Sequence, residues 1–519
     1  MVEENLRMKN LKITIILFLL CTHFGDLNAQ QWNWSKAIGG TELDNNSCIH
    51  TDSQGNVIAA SYGQGDFAIS AQNYYSPGTW AVISSYSSSG TLNWQKVIIA
   101  DSINYSVKVQ AISCDENNFV YVSGNYIGEI EFAPGFTLNS NSTGTNAFLA
   151  KLDTNGNFIW VQNYGQSTNS ESAPGLEYYG NGRLFMLVTR SASSRLLKYD
   201  ANGTLLNTYI PTLIGGGNSF YMNALRFKNN KVYICGAGFG QADFGNNVII
   251  GSPGSSYSFI LCCDTSGAGL WSKTYLSQST SQFLDLDVND NGEIMAGGNF
   301  QNIVFVDNDT LQTAGTYDGF MILIDSLGNT ITKRRFGAGS DDNLYGVAAA
   351  QNGKWYVSGS FYTNAFSTTN LFGINMTSSN TDIFIARLNN GGLAEWVKKG
   401  NNSQADQCRS FGYDSINQHI YSGGYFQGTS TWGSNPISSV GSFDAFFAQL
   451  SDTTTFLTPY ERPNLLLDST SGVTCFGLCN GYYSSTFYSS YPPLQIALNG
   501  ALISSQDLFS LCPTNILFP

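Results

Sequence analysis

Short runs of alternating apolar and polar residues, separated by Gly, Asn, Asp and Ser, extend over most of the chain. Alternation with a period of two predicts β-strands, and the separating residues are typical of tight turns. Several runs share an aromatic and aliphatic strand, a glycine and a later aromatic residue: 119–132, 231–244, 293–305, 354–366 and 419–432. The pattern therefore predicts an all-β chain whose strands are joined by turns.

A second pattern repeats in phase with the first. Turn glycines recur at spacings of 66, 47, 64, 61 and 64 residues, at Gly90, Gly156, Gly203, Gly267, Gly328 and Gly392. A tryptophan stands four residues after four of them, at Trp94, Trp160, Trp271 and Trp396, and Trp34 belongs to the same series. Another strand opens at Asn146, Asp318, Asp382 and Asp444. Four antiparallel strands repeated every ~60 residues predict the blades of a β-propeller.

Seven such units fit between Trp34 and about Thr458. The last unit lacks a Trp strand, whereas the first Trp strand, residues 32–38, has no strands before it. We therefore predict that residues 30–458 form one seven-bladed β-propeller, closed by the N-terminal strand, which completes the last blade. Closure would remove exposed sheet edges. The five tryptophans are expected to pack between blades as docking anchors.

The connections of such a blade sort onto two faces. Short Asp–Gly and Asn–Gly turns, such as 52–56, 153–157 and 289–293, fall on one face. Longer connections, which differ from unit to unit, fall on the opposite face, here called the long-loop face. Since binding groups concentrate on variable loops carried by a rigid scaffold, we expect a ligand on this face or at the mouth of the central channel.

The N-terminus predicts export. Arg7, Lys9 and Lys12 precede an apolar run at 13–21, shorter than the ~20 residues that span a bilayer. This is typical of a secretory signal peptide, residues 1–29, with cleavage near Ala29. No second transmembrane stretch is expected, and the mature chain is predicted to be a secreted or surface-held monomer.

Charge and composition exclude several classes of protein. The chain has 24 Lys and Arg against 37 Asp and Glu, a net charge of −13, and no basic stripe. This argues against binding to nucleic acid or an anionic membrane. Charged residues make up only 12% of the chain and glycine accounts for 54 positions, which argues against a coiled coil or a charged disordered tail.

Candidate chemistry is sparse. His50 and His419 lie outside any recognisable catalytic motif. Asp287, Asn289 and Asn291 match the first half of a calcium loop, but the twelfth position is Gly298 rather than Glu, so an Asn–Gly hairpin is favoured. We predict no cofactor, metal or catalytic residue. Two catalytic carboxylates can come from different blades, and their separation in the sequence would then not reveal them. A glycan-active hydrolase or lyase is therefore an alternative.

The repeat resembles that of secreted bacterial β-propeller proteins, the SBBP repeat. The segments that carry the resemblance are WSKAIGG at 34–40, FVYVSGNYIG at 119–128 and DIFIARLN at 382–389. It covers residues 30–458 and implies the propeller architecture. It implies no catalytic residues.

The pattern stops after residue 458, and residues 459–470, including Pro463, are interpreted as a linker. Beyond it, the Cys475–Cys479 segment followed by Asn-Gly, Tyr491-Pro-Pro and Leu511-Cys512-Pro resemble the SprB-type repeat of bacterial surface and gliding-associated proteins. The resemblance implies a small β-sandwich-like adhesion module at 471–519, incomplete at Pro519, as in a truncated fragment. A Cys475–Cys479 or a Cys479–Cys512 disulfide is expected, and a zinc site is not.

The leading hypothesis is a non-enzymatic adhesion protein, secreted or displayed at the cell surface, that binds an extracellular protein or polysaccharide. The alternatives are a propeller enzyme acting on glycans and a structural spacer within a larger surface protein. Acidic and aromatic side chains converging at the channel mouth would favour the enzyme. A mouth lined by Ser, Asn and Gly would favour the binding protein.

Overall fold

The computed structural model describes residues 30–452, except 70–71, 141–143, 166–168, 191–192, 364–367, 379, 401–403 and 434–435, and the backbone of four strands beyond residue 463. Helical structure in this described part is limited to one 3-10 turn, Gln351–Gly353. None of its helices has the length and apolar content needed to cross a membrane. The chain is therefore nearly all-β, as its alternating pattern predicts.

The strands form successive four-stranded antiparallel meanders, each called a sheet here, and short additional pairings join some of them into wider sheets of eight and ten strands. The N-terminal strand is β1 (Gln30–Gly40). The first sheet contains β2 (Asn45–Thr51), β3 (Val57–Ile69), β4 (Gln72–Tyr86) and β5 (Leu92–Ile99). The second contains β6 (Ser106–Cys114), β7 (Val120–Ile127), β10 (Asn146–Leu152) and β11 (Phe158–Tyr164), with the hairpin β8 (Glu129–Ala133) and β9 (Phe136–Asn139) inserted.

The third sheet contains β12 (Glu171–Gly180), β13 (Arg183–Arg190), β14 (Ser193–Asp200) and β15 (Leu205–Tyr209). The fourth contains β16 (Thr212–Lys228), β17 (Lys231–Asp243), β18 (Ile249–Asp264) and β19 (Gly269–Ser277). The fifth contains β20 (Ser281–Val288), β21 (Ile294–Phe300), β24 (Asp318–Ile324) and β25 (Thr330–Phe336), with the hairpin β22 (Ile303–Val306) and β23 (Asp309–Gln312).

The sixth sheet contains β26 (Asn343–Ala349), β27 (Trp355–Tyr362), β30 (Thr381–Leu388) and β31 (Ala394–Lys399), with the hairpin β28 (Thr369–Leu371) and β29 (Ile374–Met376). The last sheet contains β32 (Asp406–Asp414), β33 (His419–Phe426) and β36 (Asp444–Asp452), with the hairpin β34 (Thr429–Ser430) and β35 (Ile437–Ser438). In its strand order β36 is followed by β1. This succession of four-stranded meanders is β-propeller-like.

The hydrophobic core is divided among the spaces between sheets. Cys262 and Cys263 are adjacent in β18, yet Cys262 packs in the cluster shared with the fifth sheet and Cys263 in the cluster shared with the third. Side chains alternate between the faces of a strand, so each sheet contributes to two clusters. Both faces are therefore covered, and no sheet stands alone.

A recurrent turn joins strands on the face opposite the long loops. The carboxylate of Asp153 accepts the backbone N–H of Asn155 at 2.9 Å and of Asn157 at 2.7 Å. Gly156 follows with a φ of +78°, a conformation that glycine adopts without a steric penalty. The same bonds recur at Asp52, Asp200, Asp264 and Asp325.

The C-terminal residues belong to a different compact unit from residues 30–451. Its described backbone comprises two hairpins, β37 (Asn464–Ser471) with β38 (Tyr482–Tyr488) and β39 (Ile496–Leu498) with β40 (Ala501–Ile503). Strand β37 covers residues 464–470 of the segment interpreted as the linker 459–470. Cys475, Cys479, Cys512 and the predicted signal peptide lie outside the described residues.

Candidate ligand-binding site

The first strand of every sheet contributes to one cavity of about 430 Å³, here called the channel cavity. Its lining includes residues of β2, β6, β12, β16, β20, β26 and β32. Polar side chains such as His50, Gln110 and Asn223 line it together with apolar ones such as Ile112 and Val347.

The channel cavity contains a compact charge cluster. Arg226 lies 3.0 Å from the carboxylate of Asp285 and 4.0 Å from that of Asp287. Both carboxylates also accept a backbone N–H group of β26. Val347 donates to Asp285 at 3.0 Å, and Ala349 donates to Asp287 at 2.8 Å. The cluster therefore ties together the fourth, fifth and sixth sheets.

Burial sets the protonation of the groups around this cluster. It raises the pKa of Glu177 to about 7, an effect that the nearby Arg226 opposes. It also raises the pKa of Asp285 and Asp287, again opposed by Arg226. Burial lowers the pKa of His50 to about 4, so this imidazole is neutral at physiological pH. Among these acids, Asp285 and Asp287 are held by both Arg226 and the backbone of β26, whereas Glu177 accepts the N–H of Phe227 at 3.4 Å.

A larger cavity, of about 540 Å³, opens on the long-loop face, here called the large mouth cavity. Aromatic rings, hydroxyls and amides dominate its lining: Ser219, Tyr221, Ala237, Gly238, Phe239, Ser256, Thr280, Ser281, Gln282, Asn299, Tyr317, Asp341, Asn343, Tyr345, Gln407 and Arg409. Gln282 donates to Asn299 at 3.2 Å, and Asn299 donates to Asn343, which forms a ladder of amides. Among these lining residues Asp341 alone carries a carboxylate.

A second cavity on the same face, of about 340 Å³, is called the small mouth cavity. It is lined by Asn45, Asn46, Ser47, Tyr62, Lys108, Gln110, Pro174 and Arg409. Arg409 therefore lines the channel cavity and both mouth cavities. It is exposed, whereas the amides of Asn45 and Asn46 are buried.

Other acids of the long-loop face anchor the backbone instead of lining a cavity. Asp342 accepts the N–H groups of Tyr362 at 2.8 Å and Ala338 at 3.2 Å. Asp406 accepts the N–H of Ile383 at 2.9 Å, and Asp44 that of Gly40 at 2.8 Å. Burial, together with a neighbouring carboxylate, raises the pKa of Asp342 to about 7 and that of Asp44 to about 8.

Because the pKa values of these buried acids are raised, we expect the free energy of unfolding to fall as pH rises above neutrality. Their folded-state pKa values exceed the ordinary value of 3.8, so the folded chain binds protons more tightly than the unfolded chain between the two values. Their contribution is fully present below about pH 4 and is lost as pH rises through about 7 to 8. We expect a higher thermal unfolding midpoint at about pH 5 than at about pH 9, measured by circular dichroism.

Asp44→Asn should flatten this pH dependence, because an amide does not ionise. Asp290→Asn serves as the control, since the side chain of Asp290 is 95% exposed. An unchanged pH dependence in both Asp44→Asn and Asp342→Asn would rule out these carboxyls as its source.

The structure places the five tryptophans of the repeat against the clusters between sheets. Trp34, Trp94, Trp160, Trp271 and Trp396 each pack on the cluster shared by their own sheet and the next. The indole N–H of Trp34 donates to the carbonyl of Ser88 in the first sheet at 3.1 Å. Most of these rings are only half-buried, because they lie on outer strands.

The calcium-loop candidates have other partners. The two carboxylate oxygens of Asp287 accept the N–H groups of Val288 and Ala349, both at 2.8 Å. The side-chain oxygen of Asn289 accepts those of Asn291 and Glu293, at 3.0 and 2.9 Å, as in a hairpin turn. Within the described residues, no three His, Cys, Asp or Glu side chains form a group suited to a metal ion.

The cysteines of the repeat are free thiols in this part of the chain. Cys235, Cys262, Cys263 and Cys408 are buried, and Cys48 and Cys114 are half-buried. Burial raises the pKa of Cys48 to about 12, which keeps it as the neutral thiol.

His419 lies 3.2 Å from the amide of Gln449, and burial lowers its pKa. Neither His419 nor any of these cysteines lines a mouth cavity.

Comparison with known proteins gives distant similarities. No protein-family model matches the chain. An uncharacterized WD repeat-containing protein of Acanthamoeba polyphaga mimivirus is 26% identical over 166 residues, 27% of this chain and 11% of that protein. The chain thus matches only a small part of that relative's length.

Solved structures with similar chains have low sequence identity. A chain of the mitotic checkpoint complex aligns with a TM-score of 0.43 and 9% identity, over 81% of this chain and 92% of that chain. A protein of unknown function from Dyadobacter fermentans aligns with a TM-score of 0.37 and 10% identity, over 82% and 99%. A protein of unknown function from Bacteroides caccae aligns with a TM-score of 0.32 and 8% identity, over 61% and 89%.

Proposed function

We propose that the chain is a secreted or cell-surface binding protein that holds a polysaccharide in the two mouth cavities of a seven-bladed, closed β-propeller. The observation that carries this proposal is the lining of the large mouth cavity, where aromatic rings stand beside amide and hydroxyl groups. Sugars present apolar C–H faces and hydroxyl edges, and such a lining can contact both. Export is supported by the N-terminal sequence pattern.

Several contacts between the chain ends support a closed ring. Strand β1 follows β36 in the last sheet, and its Gly39 and Gly40 pair with β3 of the first sheet. Thr51 of β2 donates to the carbonyl of Tyr413 in β32 at 3.1 Å. One hydrophobic cluster joins Ile49 of the first sheet to Tyr421 of the last. These contacts are what a seven-bladed ring closed by its N-terminal strand requires.

Two buried polar atoms in the mouth cavities support a hydroxyl-rich ligand. The Oδ1 atom of Asn45 and the hydroxyl of Ser281 are both buried and have no hydrogen-bond partner among the residues that the structure describes. Asn45 lines the small cavity and Ser281 the large one. A buried polar atom without a partner costs free energy, which a ligand hydroxyl would recover.

A glycan-active enzyme is the second candidate, and the positions of the acids argue against it. Retaining and inverting glycosidases need two carboxyl groups flanking the bond that they cleave. The large mouth cavity has one carboxylate, that of Asp341. In the channel cavity, Asp285 and Asp287 bind Arg226 and the backbone, and Glu177 accepts the N–H of Phe227 at 3.4 Å. A structural spacer, the third candidate, would need neither cavity.

Tyr221→Ala is expected to weaken polysaccharide binding about tenfold, because an aromatic contact at the centre of a site contributes more than 1 kcal/mol. Tyr221 lines the large mouth cavity and is 36% exposed, so its removal should not unfold the chain. A glycan array would identify the ligand, and isothermal titration calorimetry would compare the variants.

Tyr75→Ala is the matched control, an exposed tyrosine outside both cavities (63% exposed). Equal loss of binding in the two variants would contradict a site at the mouth. Glycan cleavage in the same samples would favour the enzyme, and the absence of binding to any glycan would contradict the proposal.

A further inference from the structure

We infer that the ligand is an acidic polysaccharide, whose sugar carboxylate binds between Lys108 and Arg409 in the small mouth cavity. This inference rests on the proposed function and specifies the class of glycan. Lys108 and Arg409 are the two cations that line this cavity. Their surroundings leave both charges available to a ligand.

Aromatic rings hold the two cations in place. The ammonium of Lys108 lies 4.0 Å from the ring centroid of Tyr62. The guanidinium of Arg409 lies 5.0 Å from the ring centroid of Tyr345 and 5.9 Å from that of Tyr425. A ring face attracts a cation and fixes its position without cancelling its charge.

Neither cation forms an ion pair with a carboxylate of the described residues. Three basic residues elsewhere differ in this respect, since Arg226 on the first strand β16 and Arg335 and Lys399 on fourth strands each pair with an aspartate. The chain has 37 acidic residues for 24 basic ones, so partners are abundant. Two unpaired cations facing one cavity are therefore a distinctive feature of this site.

The rest of the small mouth cavity is neutral. Its other lining residues are Asn45, Asn46, Ser47, Tyr62, Gln110 and Pro174. A carboxylate entering this space meets donors on Lys108 and Arg409, and charge-assisted bonds to such groups are stronger than neutral ones. Asn45 is 7% exposed, and its side-chain oxygen, which no other described residue contacts by a hydrogen bond, can accept an adjacent sugar hydroxyl.

Arg409 also lines the large mouth cavity, which extends the site beyond one sugar. The next sugars of a chain bound at Arg409 can enter a space that offers Tyr221, Tyr345 and the amide ladder. This combination of a carboxylate subsite with aromatic and amide groups favours a polymer of acidic sugars over an acidic peptide. An acidic peptide would need only the two cations.

The test compares oligogalacturonate with its methyl ester, which keeps the sugar shape and removes the negative charge. We expect the full chain to bind the acid at least about tenfold more tightly than the ester in isothermal titration calorimetry. Added sodium chloride should weaken binding of the acid and leave binding of the ester unchanged, because salt screens exposed charges. Poly-glutamate serves as the acidic peptide.

Arg409→Gln and Lys108→Gln should each weaken binding of the acid about tenfold and leave binding of the ester unchanged. Lys36→Gln is the matched control, since Lys36 also lies over aromatic rings, 5.8 Å from Trp34 and 5.6 Å from Tyr86, but lines neither mouth cavity. Circular dichroism would show that all variants remain folded.

Equal affinity for acid and ester would overturn the inference and leave polysaccharide binding intact. Tighter binding of poly-glutamate than of oligogalacturonate would overturn it in favour of an acidic peptide. Binding of neither sugar would also overturn it, and the glycan array would then decide the proposed function separately. Loss of binding in Lys36→Gln equal to that in Arg409→Gln would exclude the small mouth cavity as the site.

Discussion

Arg226→Met is expected to lower the free energy of unfolding by about 3 kcal/mol, because it leaves buried carboxylates without their cation. This is the lower end of the range for a broken buried pair, since the side chain of Arg226 is 33% exposed. The carboxylates of Asp285 and Asp287 would remain tied to the backbone of β26. Urea unfolding followed by circular dichroism would measure the change.

Lys228→Met is the matched control on the same strand. Lys228 pairs with Asp290, whose side chain is 95% exposed, and an exposed ion pair contributes at most about 1 kcal/mol. Equal losses in the two variants would contradict a structural role for the channel cluster. A variant that also carries Asp285→Asn and Asp287→Asn should recover part of the loss, because the uncompensated charges are then removed.

Gly156→Ala is expected to lower the free energy of unfolding by about 3 kcal/mol for two separate reasons. The left-handed conformation at this position, φ +78°, costs an alanine about 1–2 kcal/mol. The added Cβ would lie 2.5 Å from Cδ2 of Trp94, and overpacking of this kind costs about 1–3 kcal/mol. The loss would be measured by the same urea unfolding.

Gly328→Ala separates these two contributions. Gly328 occupies the same turn position with a φ of +85°, but its added Cβ would meet nothing within 4 Å. Gly328→Ala should therefore lower the free energy of unfolding only by the cost of the left-handed backbone conformation, about 1–2 kcal/mol. Equal losses at the two glycines would contradict the close docking of Trp94 on the next sheet, whereas a smaller loss for Gly156→Ala in a Trp94→Ala background would support it.

Much of the fold could be predicted from the sequence because its signals are local. The strand alternation, the turn aspartates and the glycines with positive φ are each read within about five residues, as at Asp153 and Gly156. The tryptophan series could be read for the same reason. Because every unit repeats the same short signals, the succession of four-stranded sheets could also be predicted.

The deepest aromatic residues were not predicted. Trp80, Trp355 and Trp432 are fully buried, whereas most tryptophans of the repeat are half-buried. Trp80 and Trp355 lie on middle strands of their sheets, β4 and β27, and Trp432 lies between β34 and β35, where its ring packs against Trp32 and Phe446. Their burial depends on neighbouring sheets that are distant in sequence, so no local pattern marks them.

The candidate site was missed for a related reason. Lys108 and Gln110 alternate with apolar residues in β6, and Gln407 and Arg409 alternate with buried residues in β32. This period-two pattern on first strands was a usable signal, because such positions line the channel. Only the packed sheets show that Lys108 and Arg409 face one cavity, since they are about 300 positions apart in the chain.

The structure also assigns a role to aspartates of the repeat that the sequence alone does not indicate. Asp318, Asp382 and Asp444 open strands at equivalent positions, and the sequence marks them only as strand starts. In the structure they are buried, and Asp318 and Asp444 accept backbone N–H groups of the preceding loops. Asp318 and Asp444 therefore fix loops of the long-loop face, whereas the carboxylate of Asp382 lies 3.2 Å from the ammonium of Lys399.

A crystal structure of the chain with bound oligogalacturonate would test the proposed site directly. We expect a sugar carboxylate between Lys108 and Arg409, with the neighbouring sugars extending towards Tyr221 in the large mouth cavity. An oligosaccharide bound on the opposite face, against the Asp–Gly turns such as 153–157, would contradict it.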